Sequence, residues 1–88
     1  MKVIMINEEN HGFLGLAKDY RAAVTYLYKN NWLEDFYSLE ETETTFKNLS
    51  LTDKLGPNWL DVIYSWTRYE FNYFFEDAFY LQEIEVFE

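Results

Sequence analysis

Residues 19–31, DYRAAVTYLYKNN, contain the pattern from which the rest of the fold is inferred. The apolar side chains recur at the spacing 0, +3, +4 and +7, which places them along one face of a helix. They are Tyr20, Ala23, Val24 and Leu27. Asp19 predicts the N-cap, because a carboxylate accepts from the free amides of the first turn. The asparagine pair at 30–31 predicts the end, because asparagine tolerates a left-handed C-cap.

The segment before this helix predicts a β-hairpin. Residues 2–7, KVIMIN, form a short apolar run with β-branched members, which is typical of a strand. Residues 8–12, EENHG, have the composition of a turn. Residues 13–18, FLGLAK, then return as a second strand, in which Gly15 predicts a bulge or a close backbone approach.

The end of the chain predicts a closing strand. Residues 79–87, FYLQEIEVF, alternate with period two, so that successive side chains lie on opposite faces. The predicted apolar face consists of Tyr80, Gln82, Ile84 and Val86. The predicted partly acidic face consists of Phe79, Leu81, Glu83, Glu85 and Phe87.

Capping signals divide the middle of the chain. Ser50 and Asp53 resemble a capping box that begins a helical turn over residues 51–55, and Gly56 ends it. Pro57 predicts the first position of a new helix. Residues 57–77 then form either one helix or two, the second beginning at the capping box of Thr67 and Glu70.

Residues 34–45 are compatible with two structures. Alternation over residues 41–46 permits a short edge strand, and the acidic composition permits a loop equally well. Taken together, the elements predict an α+β fold in a single domain, residues 1–88. A small antiparallel sheet, formed by the N-terminal hairpin and the C-terminal strand, is expected to pack against two or three helices.

Composition limits the class of protein. Hydrophobic residues make up 49% of the chain and aromatic residues 22%, enough for a dense core in a small domain. There is no cysteine, which excludes a disulfide framework. No run of 18 apolar residues and no signal-peptide core occur, so we expect a cytoplasmic protein without a membrane span.

The charge is distributed unevenly. Residues 1–33 carry a net charge of +1 and residues 34–88 a net charge of −10. Such a field repels nucleic acid and anionic membranes and favours encounter with a basic protein surface. We therefore expect a protein partner rather than direct binding of nucleic acid.

Catalytic and cofactor motifs are lacking. His11 is the single histidine, and with no cysteine a zinc site would depend on carboxylates. Neither a GxGxxG motif nor a P-loop occurs. The sequence therefore predicts a protein that is not an enzyme and has no cofactor and no metal site.

Acidic residues in the last third predict the contact surface. Six of them alternate with aromatic residues, a mixture that is common at protein interfaces. They are Glu70, Glu76, Asp77, Glu83, Glu85 and Glu88. A second acidic patch is predicted from Glu40, Glu41 and Glu43.

Residues 9–33, ENHGFLGLAKDYRAAVTYLYKNNWL, resemble a pattern in small uncharacterised proteins of phages and mobile elements of Gram-positive bacteria. In size, acidity and aromatic content the chain is also similar to phage anti-CRISPR proteins. That resemblance implies an inhibitor that mimics DNA and occupies the nucleic-acid-binding surface of an effector such as a Cas nuclease. Two alternatives are an immunity-type protein that neutralises a basic toxin and a small homodimer that pairs through residues 79–87.

Overall fold

Over its described residues the chain forms five strands and four short helices, where the sequence predicted two or three helices. A computed structural model describes residues 1–41, 44–76 and 78–87. In chain order the elements are β1 (Lys2–Glu8), β2 (Gly12–Ala17), α1 (Tyr20–Lys29), β3 (Tyr37–Glu41), β4 (Phe46–Ser50), α2 (Leu51–Leu55), α3 (Trp59–Tyr64), α4 (Arg68–Phe75) and β5 (Phe79–Glu85). The architecture is α+β, as predicted from the sequence.

The main sheet joins the two ends of the chain. Its strand order is β2-β1-β5, and both pairings are antiparallel. Beside Gly15 the register shifts, because Ile6 faces Gly15 while Asn7 faces Phe13. Leu14 is therefore the extra residue of a bulge. The predicted bulge is therefore confirmed, and the group nearest Gly15 is the Tyr26 side chain rather than another backbone segment, 3.7 Å from where a β-carbon would stand.

Helix α1 follows its sequence pattern closely. Asp19 accepts a hydrogen bond from the Ala22 amide at 2.8 Å, and Ala23, Val24 and Leu27 are buried. Asn31 adopts a φ of 63°, the left-handed conformation that was expected at the helix end.

The second sheet was not predicted. Strands β3 and β4 pair from Tyr37 opposite Ser50 to Glu41 opposite Phe46. Of the two structures that residues 34–45 allowed, one continuous strand over residues 41–46 is wrong, because Glu41 ends β3, Phe46 begins β4 and residues 44–45 belong to neither strand. Residues 42 and 43 lie outside the described residues.

The capping signals placed two of the three later helices correctly. The Ser50–Asp53 capping box begins α2, which ends at Gly56 with a φ of 90°. The Thr67–Glu70 capping box begins α4, so the segment after Pro57 forms two helices and not one. Pro57 is not the first residue of α3, because that helix begins at Trp59 after the N-cap Asn58.

The closing strand buries the face that the sequence marked as partly acidic. Phe79 and Leu81 are buried in the core, whereas Tyr80 is 40% exposed. The assignment of residues 80, 82, 84 and 86 as the apolar face was wrong. The alternation was read correctly, but the first two residues of the other face lie in the core and the next two, Glu83 and Glu85, lie beyond it.

Candidate acidic interface

Helix α4 carries the first part of the predicted surface. The Thr67 hydroxyl accepts from the Glu70 amide at 3.2 Å, and Glu70 Oε1 accepts from the Thr67 amide at 3.1 Å. This reciprocal pair fixes where the helix begins and holds one oxygen of Glu70. The charge of Glu70 also reaches Tyr20. Burial is the larger cause of the raised pKa of the Tyr20 phenol, and the negative charge of Glu70 raises that pKa further.

A cleft of about 690 Å³ lies along this helix, and we call it the α4 cleft. Its lining combines aromatic rings with charged groups: Lys54, Trp66, Tyr69, Glu70, Tyr73, Phe74 and Glu76. The rings of Trp66 and Phe74 contact each other with centroids 4.9 Å apart. Tyr69 and Tyr73 are 73% and 87% exposed. One turn of helix thus presents two large aromatic side chains to solvent.

Lys54 connects the α4 cleft to the second predicted patch. Its Nζ donates to Glu40 Oε1 at 2.7 Å and lies 5.4 Å from the centroid of the Phe74 ring. The hydrogen bond from Lys54 and its charge lower the pKa of Glu40. Glu40 is therefore paired at the edge of the cleft. Glu41 lies at the far end of the β3–β4 hairpin, opposite Phe46.

Glu76 ends α4 in a conformation that its residue type disfavours. Its φ and ψ are 47° and 50°, a left-handed geometry that glycine adopts at far lower cost. Its negative charge also lies at the C-terminus of the helix, where the helix dipole favours cations. Backbone strain of this kind concentrates at functional positions, and Glu76 lines the α4 cleft.

The acids of β5 have different neighbours from those of α4. Glu83 pairs with the Lys2 ammonium at 3.4 Å, and Glu85 pairs with the N-terminal amine of Met1 at 3.3 Å. All four groups are well exposed. The acids that the structure describes therefore divide into a cleft group (Glu70 and Glu76, with Glu40 beside it) and a strand group (Glu83 and Glu85), and Glu41 belongs to neither. The remaining members of the predicted acidic set, Glu43, Asp77 and Glu88, lie outside the described residues.

Sequence reasoning missed part of the cleft lining. Lys54 comes from α2, 16 positions before Glu70, and Trp66 comes from the connection between α3 and α4, outside the helix that carries the acids. The spacing of Tyr69 and Tyr73 is the feature of the sequence that could have indicated this surface. These residues stand one helical turn apart and outside the stripe that Phe71 and Phe75 bury.

His11 lies in the β1–β2 turn, where its side chain contacts Glu8 and Trp32. Its Nδ1 lies 2.6 Å from Glu8 Oε2, and its ring contacts Trp32 edge-on. The same Glu8 oxygen accepts from the amides of Asn10 and His11. Glu8 therefore acts as the acceptor that organises the turn. Within the described ranges, no group of three potential metal-ligating side chains occurs.

None of the helices described has both the length and the apolar character needed to cross a bilayer. Comparisons of the chain with protein-family models, with curated proteins and with solved structures found no match.

Proposed function

We propose that this chain is a non-enzymatic protein-binding domain that docks a basic protein surface into the α4 cleft. The observation that carries the proposal is the pair Tyr69 and Tyr73, exposed beside the carboxylates of Glu70 and Glu76. A guanidinium or ammonium group gains both from the face of a tyrosine ring and from a neighbouring carboxylate. The cleft supplies both groups within about two helical turns, from Tyr69 to Glu76.

Contacts inside the molecule illustrate this chemistry. The Arg68 guanidinium lies 4.4 Å from the centroid of the Tyr69 ring, and the Arg21 guanidinium lies 4.1 Å from that of Tyr64. Tyr73 has no such partner among the cation–ring contacts of the described residues. It is the ring that remains for an arginine or lysine of the partner.

The partner class follows from charge. A chain with a net charge of −9 is steered towards strongly basic surfaces, and surfaces that bind nucleic acid are strongly basic. We propose that the domain occupies such a surface on a nucleic-acid-handling protein, as a DNA mimic does. A Cas-type nuclease of the host defence is one member of that class.

Tyr73→Ala tests the cleft. The partner is captured from the organism that encodes the chain, purified, and titrated with the wild type and the variant. We expect the variant to bind at least tenfold more weakly, because exposed tyrosines at interface centres commonly contribute more than about 1.4 kcal/mol. Tyr37→Ala is the matched control, since Tyr37 is 60% exposed but lies outside the cleft. Equal affinity of wild type and Tyr73→Ala would contradict the proposal.

Two further measurements sharpen this test. Glu76→Gly relieves the left-handed backbone, so we expect the free energy of unfolding to rise by about 1 kcal/mol while partner affinity falls severalfold. A variant that is more stable but binds more weakly would show that the loss of affinity is not caused by unfolding. Duplex DNA should displace the domain from its partner in proportion to DNA concentration. A ternary complex with DNA would refute the mimic proposal and leave the cleft proposal standing.

A further inference from the structure

Strand β5 has an outer edge that pairs with no other strand of the described part of the chain. It is the last strand of the order β2-β1-β5. The Val86 amide donates to the Met1 carbonyl at 2.7 Å, and the Glu9 amide donates to the Ala78 carbonyl at 3.1 Å. Hydrogen-bonded pairs alternate along an antiparallel ladder, so the backbone amides and carbonyls of residues 80, 82 and 84 point towards β1. Residues 79, 81, 83 and 85 direct their amides and carbonyls outwards.

Helix α4 covers only one position of that edge. Asn72 accepts from the Leu81 amide and donates to the Leu81 carbonyl, both at 2.8 Å, as a neighbouring strand would. Arg68 donates to the same carbonyl at 3.2 Å. Beyond Leu81, the described residues offer the outward amides and carbonyls of Glu83 and Glu85 no partner. Unpaired edge groups of this kind are a template for a further strand.

The side chains along the free edge select the occupant. Glu83 and Glu85 project from the same face, followed by Phe87, which is 90% exposed. Pairing of two copies about a two-fold axis centred on any residue from 83 to 85 would place carboxylates directly opposite each other, which is unfavourable. An incoming strand with basic residues at alternate positions would instead give each carboxylate a cation on the side away from β1.

We propose that the β5 edge, residues 83–87, binds an extended segment of another protein in which Lys or Arg occupies every second position. The bound segment continues the main sheet as a fourth strand. Backbone hydrogen bonds supply the affinity, and the alternating charges supply the specificity. This site goes beyond the α4 cleft and does not depend on it.

The direct test uses two peptides of identical composition. The first is a blocked nonapeptide in which Lys alternates with Val and Thr, and the second carries the same lysines in one block. Affinity is measured by fluorescence anisotropy, and exchange of the Glu83 and Glu85 amides by NMR. We expect the alternating peptide to bind at least tenfold more tightly and to slow exchange at both amides at least tenfold. Equal binding, no binding, or unprotected amides would overturn the proposal.

Variants then assign the contact to the strand edge. Glu85→Pro removes one outward N–H and leaves the hydrogen bonds to β1 in place, since proline is tolerated at such edge positions. Glu85→Pro should weaken binding of the alternating peptide at least tenfold. Glu76→Gln and Tyr73→Ala should leave the affinity for this peptide unchanged. Loss of binding in Tyr73→Ala would place the peptide in the cleft and refute the edge site. If Glu85→Pro fails to fold, the double variant Glu83→Gln/Glu85→Gln replaces it. Undiminished binding of the alternating peptide by this variant, or unprotected Glu83 and Glu85 amides in the wild type, would then refute the edge site.

Discussion

Glu8 shows how a single carboxylate can organise a turn. Its Oε2 lies within 3.0 Å of three nitrogens, the amides of Asn10 and His11 and the His11 ring. Desolvation raises the pKa of Glu8, but the hydrogen bonds from His11 and the turn amides outweigh it, and the net pKa is lowered. The folded chain therefore favours the ionised carboxylate.

Glu8→Gln should lower the free energy of unfolding at pH 7 by about 1 kcal/mol, because a neutral amide oxygen accepts these hydrogen bonds less strongly. The sign of the pH dependence follows from the lowered pKa. The stabilisation from the ionised Glu8 carboxylate is fully present at pH values above 4.5, the ordinary pKa of glutamate. It is lost as the pH falls through the lower pKa of Glu8 in the folded state. Urea unfolding of both proteins at several pH values measures the difference, which should shrink in acid. Glu9→Gln, at an exposed neighbour, should show no such pattern.

At the scale of elements, Asn72 makes the two shortest of the described hydrogen bonds between α4 and the backbone of β5. Asn72 makes two hydrogen bonds to the backbone of Leu81, whose side chain is fully buried. The same contact determines where the free edge of β5 begins. Asn72 is thus the residue through which a helix replaces a missing strand.

Asn72→Ala should destabilise the fold by about 2 kcal/mol, because the Leu81 amide loses its acceptor while Arg68 still donates to the carbonyl. Urea unfolding gives the free energy, and faster hydrogen exchange at the Leu81 amide locates the effect. Asn48→Ala is the matched change at an exposed position of β4 and should shift the free energy by less than about 0.5 kcal/mol. An equal cost at both positions would contradict the assigned role.

At the scale of the whole molecule, a cluster of phenylalanine rings around Phe75 lies within the hydrophobic core. Phe75 has ring contacts with four other phenylalanines, with centroid distances from 4.5 to 5.3 Å: Phe36, Phe71, Phe74 and Phe79. These neighbours come from α4, from β5 and from the segment before β3. Offset and edge-on rings add to the hydrophobic contribution of their burial.

Phe75→Ala should cost about 3–5 kcal/mol, as is usual when a buried phenylalanine is truncated. A chain of this length has a total stability of about 4–13 kcal/mol, so we expect a large loss of the folded population at 37 °C. Thermal unfolding followed by circular dichroism measures the shift. Phe87→Ala removes an exposed ring and should change the melting temperature little. If the two variants melt alike, the core assignment is wrong.

The limits of sequence reasoning differ between helices and strands. Asp19, Ser50 and Thr67 act on amides two or three residues away, so their capping roles follow from local sequence alone. The faces of β5 do not, because alternation gives two faces without saying which one meets the core. The β3–β4 hairpin was missed although its pairing is local, because neither YSLEE nor FKNLS contains a fully buried residue and the apolar alternation that marks a strand is therefore weak.

The chain itself determined the α+β class, the α1 pattern, the N-terminal hairpin and the excess of acid, since each follows from local spacing or composition. The tertiary structure decided which acids act together. Folding brings Lys54 and Trp66 to Glu76 and leaves Glu83 and Glu85 on an open strand edge. Side chains far apart in sequence become neighbours only after the core has formed, and no local pattern encodes that proximity.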